Sequence, residues 1–439
     1  MNTIGLRKEE KAFETRVAVV PEHVKYLSSQ HGIKFIIEPS AQRTFSEEEY
    51  KLAGANSAIL KGSRIPIVLG IKEMPIDFFE KDIVYIFFSH TIKGQKQNMP
   101  MLKRILNTGA TLIDYERILD SKGRRLIYFG NWAGIAGVSD TLRTLGQRME
   151  KRGIRPNPFT GMKPTLQCKD LNELQDVFHS VKERIERNGL PESMTPFVVG
   201  FSGYGNVSQG AQRIFDILPH EQVPPDLLPN LPKSKDKLYK CIFKEEHLVE
   251  PKDPNAKFEL QDYYEFGASK YNGIFHRYIP YLTVLMNCIY WSSKYPRLIT
   301  KDFIQEHWND DNRRLEAIGD ISCDINGAIE ITLQSTTPDN PAFSYIVSKD
   351  TTEPVVDGDG ILVIAIDNLP CELPRESSTS FSKTLLDFIP SLAKADFTVP
   401  FDELQLPEEI KDAVIVYQGK LTKNYEYLQR HLSNEENQH

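Results

Sequence analysis

The sequence predicts an α/β protein of two domains, each built on a parallel sheet, with the sheets flanking a central cleft. Three observations carry this. Short apolar runs alternate with helical patterns through the first third of the chain, the signature of strands joined by crossover helices. A second strand-helix unit opens at Thr195, after two long helical stretches. At 439 residues the chain also exceeds one ordinary core, since cores stop growing near ~250–300 residues.

The elements follow in order. TIGL is a short strand, and the charged RKEEKAFETR leads from it to VAVVP, read as a further strand with Arg16 beside it. KFIIEP (34–39), IPIVLGI (65–71), IVYIFFS (83–89) and TLIDYE (111–116) read as buried strands. Between them VKYLSSQ, SEEEYKLAGA and MPMLKRILNTG have helical spacing, and Ser46 with Glu49 three residues on is a capping signal. From Asn131, WAGIAGVSDTLRTLGQRMEKRG predicts a long helix linking the two domains, with Gly153 as its stop. PNPFTGMKPT is an irregular loop and 172–189 a strongly amphipathic helix. Residues from Asp216 to about Lys237, with PPDLLPNLP, read as a loop insertion; strands resume at LEAIGDIS (315–322) and ILVIAID (361–367). KTLLDFIPSLAKAD then reads as a helix returning to the first domain. The domains are therefore set at residues 1–135 with 368–439, and at 136–367 with an insertion near 216–300.

Composition excludes several classes. A net charge of -7, with both signs interspersed, offers no basic footprint for nucleic acid. The apolar runs have strand length, far short of the ~20 residues that span a bilayer, so no membrane segment is expected. The N-terminus fits neither a secretory nor a transit peptide, and a reducing cytoplasm is the expected location. Cys168, Cys241, Cys288, Cys323 and Cys371 are far apart and lack paired spacing, so neither a disulfide framework nor a metal site is expected.

The sharpest local signal is TPFVVGFSGYGNVSQGAQRIF. Strand-like PFVV runs into Ser202-Gly203-Tyr204-Gly205-Asn206-Val207, and a helix follows. Gly203 suits a tight turn, Gly205 lets backbone approach a pyrophosphate, and the helix N-terminus would meet the anion with unpaired N–H groups. Ser208 replaces the third glycine of the dinucleotide fingerprint and keeps a small residue there. This makes the domains Rossmann-like. The acidic residue about 20 positions on has only Glu221 as a candidate, so NAD and NADP both remain open.

Polar residues gather at the C-terminal ends of the first-domain strands, the edge where open α/β sheets place ligands. Lys72 and Glu73 follow IVLGI; Ser89, His90, Thr91 and Lys93 follow IVYIFF; Asp114, Tyr115 and Glu116 close TLIDYE; Arg124 and Arg125 precede LIYFG. Singly each is a common surface or structural residue. Together with Arg16 they suit proton transfer and carboxylate binding, and a nicotinamide facing them predicts hydride transfer to an acidic substrate that also carries an amine.

GLRKEEKAFETRVAVVPEHV resembles the opening of the alanine dehydrogenase and transhydrogenase N-terminal domain. GIKEMP, FFSHTIKGQ, LIDYERILDSKGRRLIYFG, NWAGIAG, GNVSQGAQRIFDILPHE, DISCDINGAIEIT and IDNLPCELPRES together resemble the lysine-ketoglutarate reductase family, and run through nearly the whole chain in family order. The resemblance implies that L-lysine and 2-oxoglutarate condense to an imine that NADPH reduces to saccharopine. It places the acid-base pair on Lys72 and His90. Arg16 and Arg125 fall on arginines that bind substrate carboxylates, and Glu73 and Glu116 on acids that hold the amine or tune the lysine. Lys93 and Arg16 would disfavour the Lys72 ammonium. Asp320 falls beside the nicotinamide. The segment between Phe215 and Arg297 looks like the degradative, NADP(H)-using type, while Glu221 leaves NAD(H) open. The tail LPEEIKDAVIVYQGKLTKNYEYL resembles the junction before a saccharopine dehydrogenase domain, an activity a separate chain would then supply. The rival readings are another opine-type or amino-acid dehydrogenase, and a dinucleotide-binding regulatory protein without catalysis.

Overall fold

The computed structural model describes residues 2–433 apart from 310–312, 355 and 357. The chain divides into two units, Met1–Phe129 with Pro374–His439, and Gly130–Leu373.

In the first unit the strands β1 (Thr3–Leu6), β2 (Lys34–Ile37), β3 (Asn56–Ser57), β4 (Ile67–Leu69), β5 (Val84–Phe87) and β6 (Thr111–Asp114) are all parallel to their neighbours among these six. Helices α1 (Pro21–His31), α2 (Glu47–Leu52) and α3 (Met99–Thr108) lie between them in the chain. Ser46 caps α2 in a complete capping box with Glu49. Alternate residues supply the two faces of the sheet: Ile67, Leu69, Val84 and Ile86 enter one core, and Val68, Tyr85, Phe87 and Leu112 the other.

VAVVP, expected as a strand, is not one. The Val17 and Val20 N–H groups donate to the hydroxyls of Ser378 and Ser382, each at 3.0 Å. Side chains from the returning C-terminal helix Pro374–Leu385 thus take the bonds that a ladder would need.

The second unit begins with α4 (Gly130–Lys151), six residues before the expected boundary. The reason is close packing on α6 (Asn206–Phe215), which follows α5 (Leu171–Asn188). A Cβ on Gly134 would stand 2.0 Å from the Val207 carbonyl oxygen, and one on Gly210 1.9 Å from that of Asn131, so only glycine lets the backbones approach this closely. At the other end Leu369 and Leu373 join the same core as α4, which keeps the chain in this unit through Leu373 instead of residue 367.

The strands of this unit are β7 (Val198–Ser202), β8 (His220–Val223), β9 (Leu238–Phe243), a separate antiparallel pair β10 (Val249–Pro251) and β11 (Tyr271–Gly273), then β12 (Val284–Asn287), β13 (Ala317–Asp320), β14 (Ala342–Ile346), β15 (Thr351–Glu353) and β16 (Ile361–Ile364). The sheet order is β15-β14-β16-β13-β12-β7-β9-β8, with β14 antiparallel to both of its neighbours and every other pair parallel. The chain leaves β7 toward one side and resumes at β12 on the other, so their C-terminal ends form a topological switch point. Asp216 to Lys237 is not wholly a loop. It contains the edge strand β8, held by pairing such as Glu221 with Tyr239, and a 3-10 turn at Pro225–Asn230.

The chain returns to the first unit with β17 (Val414–Tyr417) and β18 (Lys420–Leu421), completing an eight-stranded sheet in the order β18-β17-β6-β5-β4-β1-β2-β3. The fold is α/β with two mostly parallel eight-stranded sheets. Among the described residues no helix is long and apolar enough to cross a membrane.

Candidate functional site

In the first unit, parallel pairing sets the ends of β4, β5 and β6 along one edge, with Leu69 opposite Ile86 and Phe87 opposite Asp114. Lys72 follows β4, Ser89 and His90 follow β5, and Glu116 follows β6. Burial depresses the Lys72 pKa below its ordinary value, and the cations Arg16 and Lys11 add to this against Glu14 and Glu73. After Arg16, Lys11 is therefore the second cation that acts on Lys72; Lys93 is exposed, its N–H donating to Gln95.

The Glu73 carboxylate meets His90 Nδ1 at 2.5 Å. Burial is the largest influence on Glu73 and opposes its ionisation, but the bond to His90, the charges of His90 and Lys72 and a backbone N–H together outweigh it and hold the carboxyl below its usual range. His90 has a φ of +47°, a left-handed conformation that is costly for a residue with a side chain. The Asn98 amide secures that turn by donating to the His90 carbonyl at 3.0 Å. Asp114 ties the ends of β5 and β6: it accepts from the N–H and hydroxyl of Ser89 and from the Glu116 N–H. Burial raises its pKa to about 6.

Arg16 is only 2% exposed. Its guanidinium forms a fork with the Glu14 carboxylate at 2.7 and 2.5 Å and lies over the Phe129 ring, 4.1 Å from the centroid. Arg125 pairs with Glu116, leaving its own side chain 49% exposed. Lys72, Glu73, His90 and Arg16 thus come together, whereas Glu116 and Arg125 contact each other. Sequence reasoning passed over Glu9, Lys11, Glu14 and Asn98. The signal for the first three was the charged run directly after the first strand.

In the second unit Gly203 has a φ of +82° and donates its N–H to the Phe243 carbonyl at 2.8 Å, turning the chain out of β7. Gly205 is the N-cap of α6; it offers no side-chain acceptor, and a Cβ on it would point into open space. Uncapped N–H groups at an unobstructed helix start fit a dinucleotide phosphate, so the turn from Ser202 to Val207 is where the group would be held. Ser202 itself is buried, donating to Asn287 Oδ1 at 3.0 Å, which braces the ends of β7 and β12. Asp320, at the end of β13, accepts from Thr332 at 2.6 Å, Ser322 at 2.8 Å and Asn287 at 2.9 Å. Burial raises its pKa against these bonds.

Glu221, the acidic residue expected to take a ribose hydroxyl, is not on the strand next to β7. It lies on the edge strand β8, separated from β7 by β9, and pairs with Lys237 at 2.5 Å. The strand end beside Gly203 is that of β9, followed by exposed Lys244 and partly buried Glu245. The Tyr264 hydroxyl donates to Glu245 at 2.7 Å. Tyr204 belongs to the same group: burial, then the charge of Glu245, raises its pKa. Because β8 precedes β9 in the chain but lies outside it in the sheet, the strand end next to β7 is at Phe243 and not at Val223. Among the described residues no group of three or more His, Cys, Asp or Glu side chains is placed to hold a metal ion.

Two models of the alanine dehydrogenase/PNT family match the chain, the N-terminal domain over residues 5–136 and the C-terminal domain over 290–424. The alpha-aminoadipic semialdehyde synthase of Arabidopsis thaliana is 37% identical over 438 residues, covering 95% of this chain and 40% of the relative. The mitochondrial alpha-aminoadipic semialdehyde synthase of Rattus norvegicus is 32% identical, covering 97% of this chain and 47% of that protein. The chain thus spans less than half the length of these two relatives. A saccharopine dehydrogenase [NAD(+), L-lysine-forming] of Emericella nidulans is 28% identical, covering 88% of this chain and 90% of its own. An L-alanine dehydrogenase structure superposes with a TM-score of 0.62 at 15% identity, over 98% of this chain and 99% of that one, which shows a shared fold.

Proposed function

We propose that this chain, which belongs to the alanine dehydrogenase/PNT family, condenses L-lysine with 2-oxoglutarate and reduces the imine to saccharopine, with NADPH as hydride donor. Its homologues include alpha-aminoadipic semialdehyde synthases and saccharopine dehydrogenases. The family implies a nicotinamide dinucleotide, which when bound supplies the hydride.

The observation that carries the reading is the environment of Lys72. Burial together with Arg16 and Lys11 favours its neutral amine, which can take the proton from the lysine ε-ammonium and free that nitrogen to attack the keto carbon. His90, steered by Glu73, is the partner that passes protons to and from the departing oxygen. Arg125, half-exposed, and Arg16 are the carboxylate-binding groups, and Glu116 and Glu73 hold the amine. Lys93 stands at the exposed rim of this edge. Asp320 is assigned beside the nicotinamide.

NADP(H) is favoured over NAD(H) because an exposed ammonium, Lys244, follows the strand next to the phosphate turn, while the nearby Glu245 carboxylate is engaged by Tyr264. Purified protein should oxidise NADPH only when lysine and 2-oxoglutarate are both present. No turnover with that pair under either nucleotide sinks the proposal, and a panel of other amines and keto acids separates it from a different opine-type dehydrogenase.

A further inference from the structure

We infer that Glu9 is a positioning residue for this reaction: its carboxylate clamps the backbone turn from which Lys72 projects. The inference rests on the role proposed for Lys72 and adds a residue that contacts neither substrate nor nucleotide in that scheme.

Glu9 lies in the segment that leaves β1 and is 7% exposed. Its Oε1 accepts the Ile71 N–H at 2.6 Å and its Oε2 the Lys72 N–H at 3.0 Å. Both amides lie beyond the end of β4, where the ladder no longer supplies acceptors, and a buried N–H left without one is costly. One carboxylate therefore fixes two successive peptide units and with them the direction of the Lys72 side chain. The clamp is itself held in place. Gln42 donates to the Glu9 carbonyl at 2.6 Å and to that of Glu14 at 3.3 Å, fastening both ends of the charged loop. Gly70, the residue before these two amides, lies beside the carboxylate: a Cβ on it would stand 3.5 Å from Oε1.

The clamp depends on ionisation. A carboxylate offers acceptors on both oxygens, whereas a protonated carboxyl turns an O–H donor toward one of the two N–H groups. The charged and titratable groups that face Glu9 are Glu14 and Arg7 from its own segment, Arg43, and Tyr115 from the end of β6. Burial, then the charge of Glu14, raises the Glu9 pKa to about 7, against its two amide bonds and Arg7. The turn is thus held progressively more as pH rises through that value and loosens as pH falls through it, so the placement of Lys72 is linked to a proton that Lys72 does not carry.

The test uses the whole chain and two readouts. Glu9→Gln keeps the volume and leaves one acceptor oxygen. It should lower kcat about ten- to a hundredfold, as small misplacements of a reacting group do, with the NADPH Kd unchanged. Its kcat profile should lose the acid limb near pH 7, and Glu9→Asp, which keeps both oxygens, should recover part of the rate. Independently of turnover, amide hydrogen exchange in the wild-type chain should show Ile71 and Lys72 losing protection as pH falls through about 7, beyond the intrinsic pH dependence of exchange. Wild-type kcat with an unaltered pH profile in Glu9→Gln overturns the inference, as does unprotected exchange at Ile71 and Lys72 above pH 7. If the wild-type chain does not turn over lysine and 2-oxoglutarate but the exchange pattern holds, the clamp stands and the assigned reaction fails.

Discussion

Replacing Lys244 with alanine should weaken NADPH binding and leave NADH binding unchanged. Lys244 is exposed at the end of β9, whose last carbonyl, that of Phe243, accepts the Gly203 N–H. Its ammonium has no carboxylate partner among the described residues, so the substitution removes a charge without breaking an internal ion pair. A hydrogen bond to a charged group contributes about 1.5–3 kcal/mol. Solvent exposure and screening reduce this toward ~1 kcal/mol. Because ~1.4 kcal/mol is tenfold in Kd, the NADPH Kd should rise about five- to tenfold. Titrating nicotinamide fluorescence with both nucleotides, at low and high ionic strength, measures this without any substrate. The difference between wild type and variant should shrink as salt rises. Equal weakening of both nucleotides, or unchanged NADPH binding alongside weakened NADH binding in Glu245→Gln, refutes the reasoning and assigns the position to a ribose hydroxyl.

Three other outcomes are expected. Lys72→Met and His90→Gln should each lose turnover while keeping NADPH affinity, measured by assay and titration on the same preparations; full rate in both shows that the acid-base roles are misassigned. Lys11→Met removes one of the two cations that depress the Lys72 pKa, so the limb of the kcat/KM profile that rises with deprotonation of Lys72 should move to higher pH; a shift to lower pH contradicts the electrostatics. The buried Glu372 carboxyl, raised by burial and by the charge of Asp140, stays protonated in the folded chain well above the 4.5 of a free carboxyl. The folded state then binds a proton that the unfolded state releases. Stability contributed by Glu372 is present below about 4.5 and lost as pH rises toward the folded value, so Glu372→Gln should flatten the decline of Tm with pH above 4.5. An unchanged slope counts against a proton held there.

The alternation of strands and helices, the capping box at Ser46 and the turn at Gly203 were all legible in the sequence, because each rests on local chemistry. Strand period, cap hydroxyl and glycine freedom act within a few residues of the chain. The polar residues after β4, β5 and β6 were legible for a related reason: in a parallel sheet, strand ends in sequence become one edge in space. VAVVP shows where this stops. Its composition is that of a strand, yet hydroxyls from Ser378 and Ser382, more than 350 residues away, take two of its backbone donors.

By itself, then, the sequence determined the α/β class, the glycine turn into α6 as a candidate phosphate site, and Lys72 and His90 as candidates on one edge. Tertiary structure alone decided which charges meet them. The charge of Lys11 on Lys72, the Glu14 fork on Arg16 and the bond from the Ile71 N–H to Glu9 depend on how the loop after β1 folds over the end of β4. Likewise the pairing of β9 beside β7 left Glu221 on the edge strand β8 and set Lys244 and Glu245 after the strand that bonds the Gly203 turn. The physical reason is the same in both cases: a backbone hydrogen bond or a turn is chosen by neighbours in the chain, while an electrostatic environment is the sum over whatever the fold packs nearby.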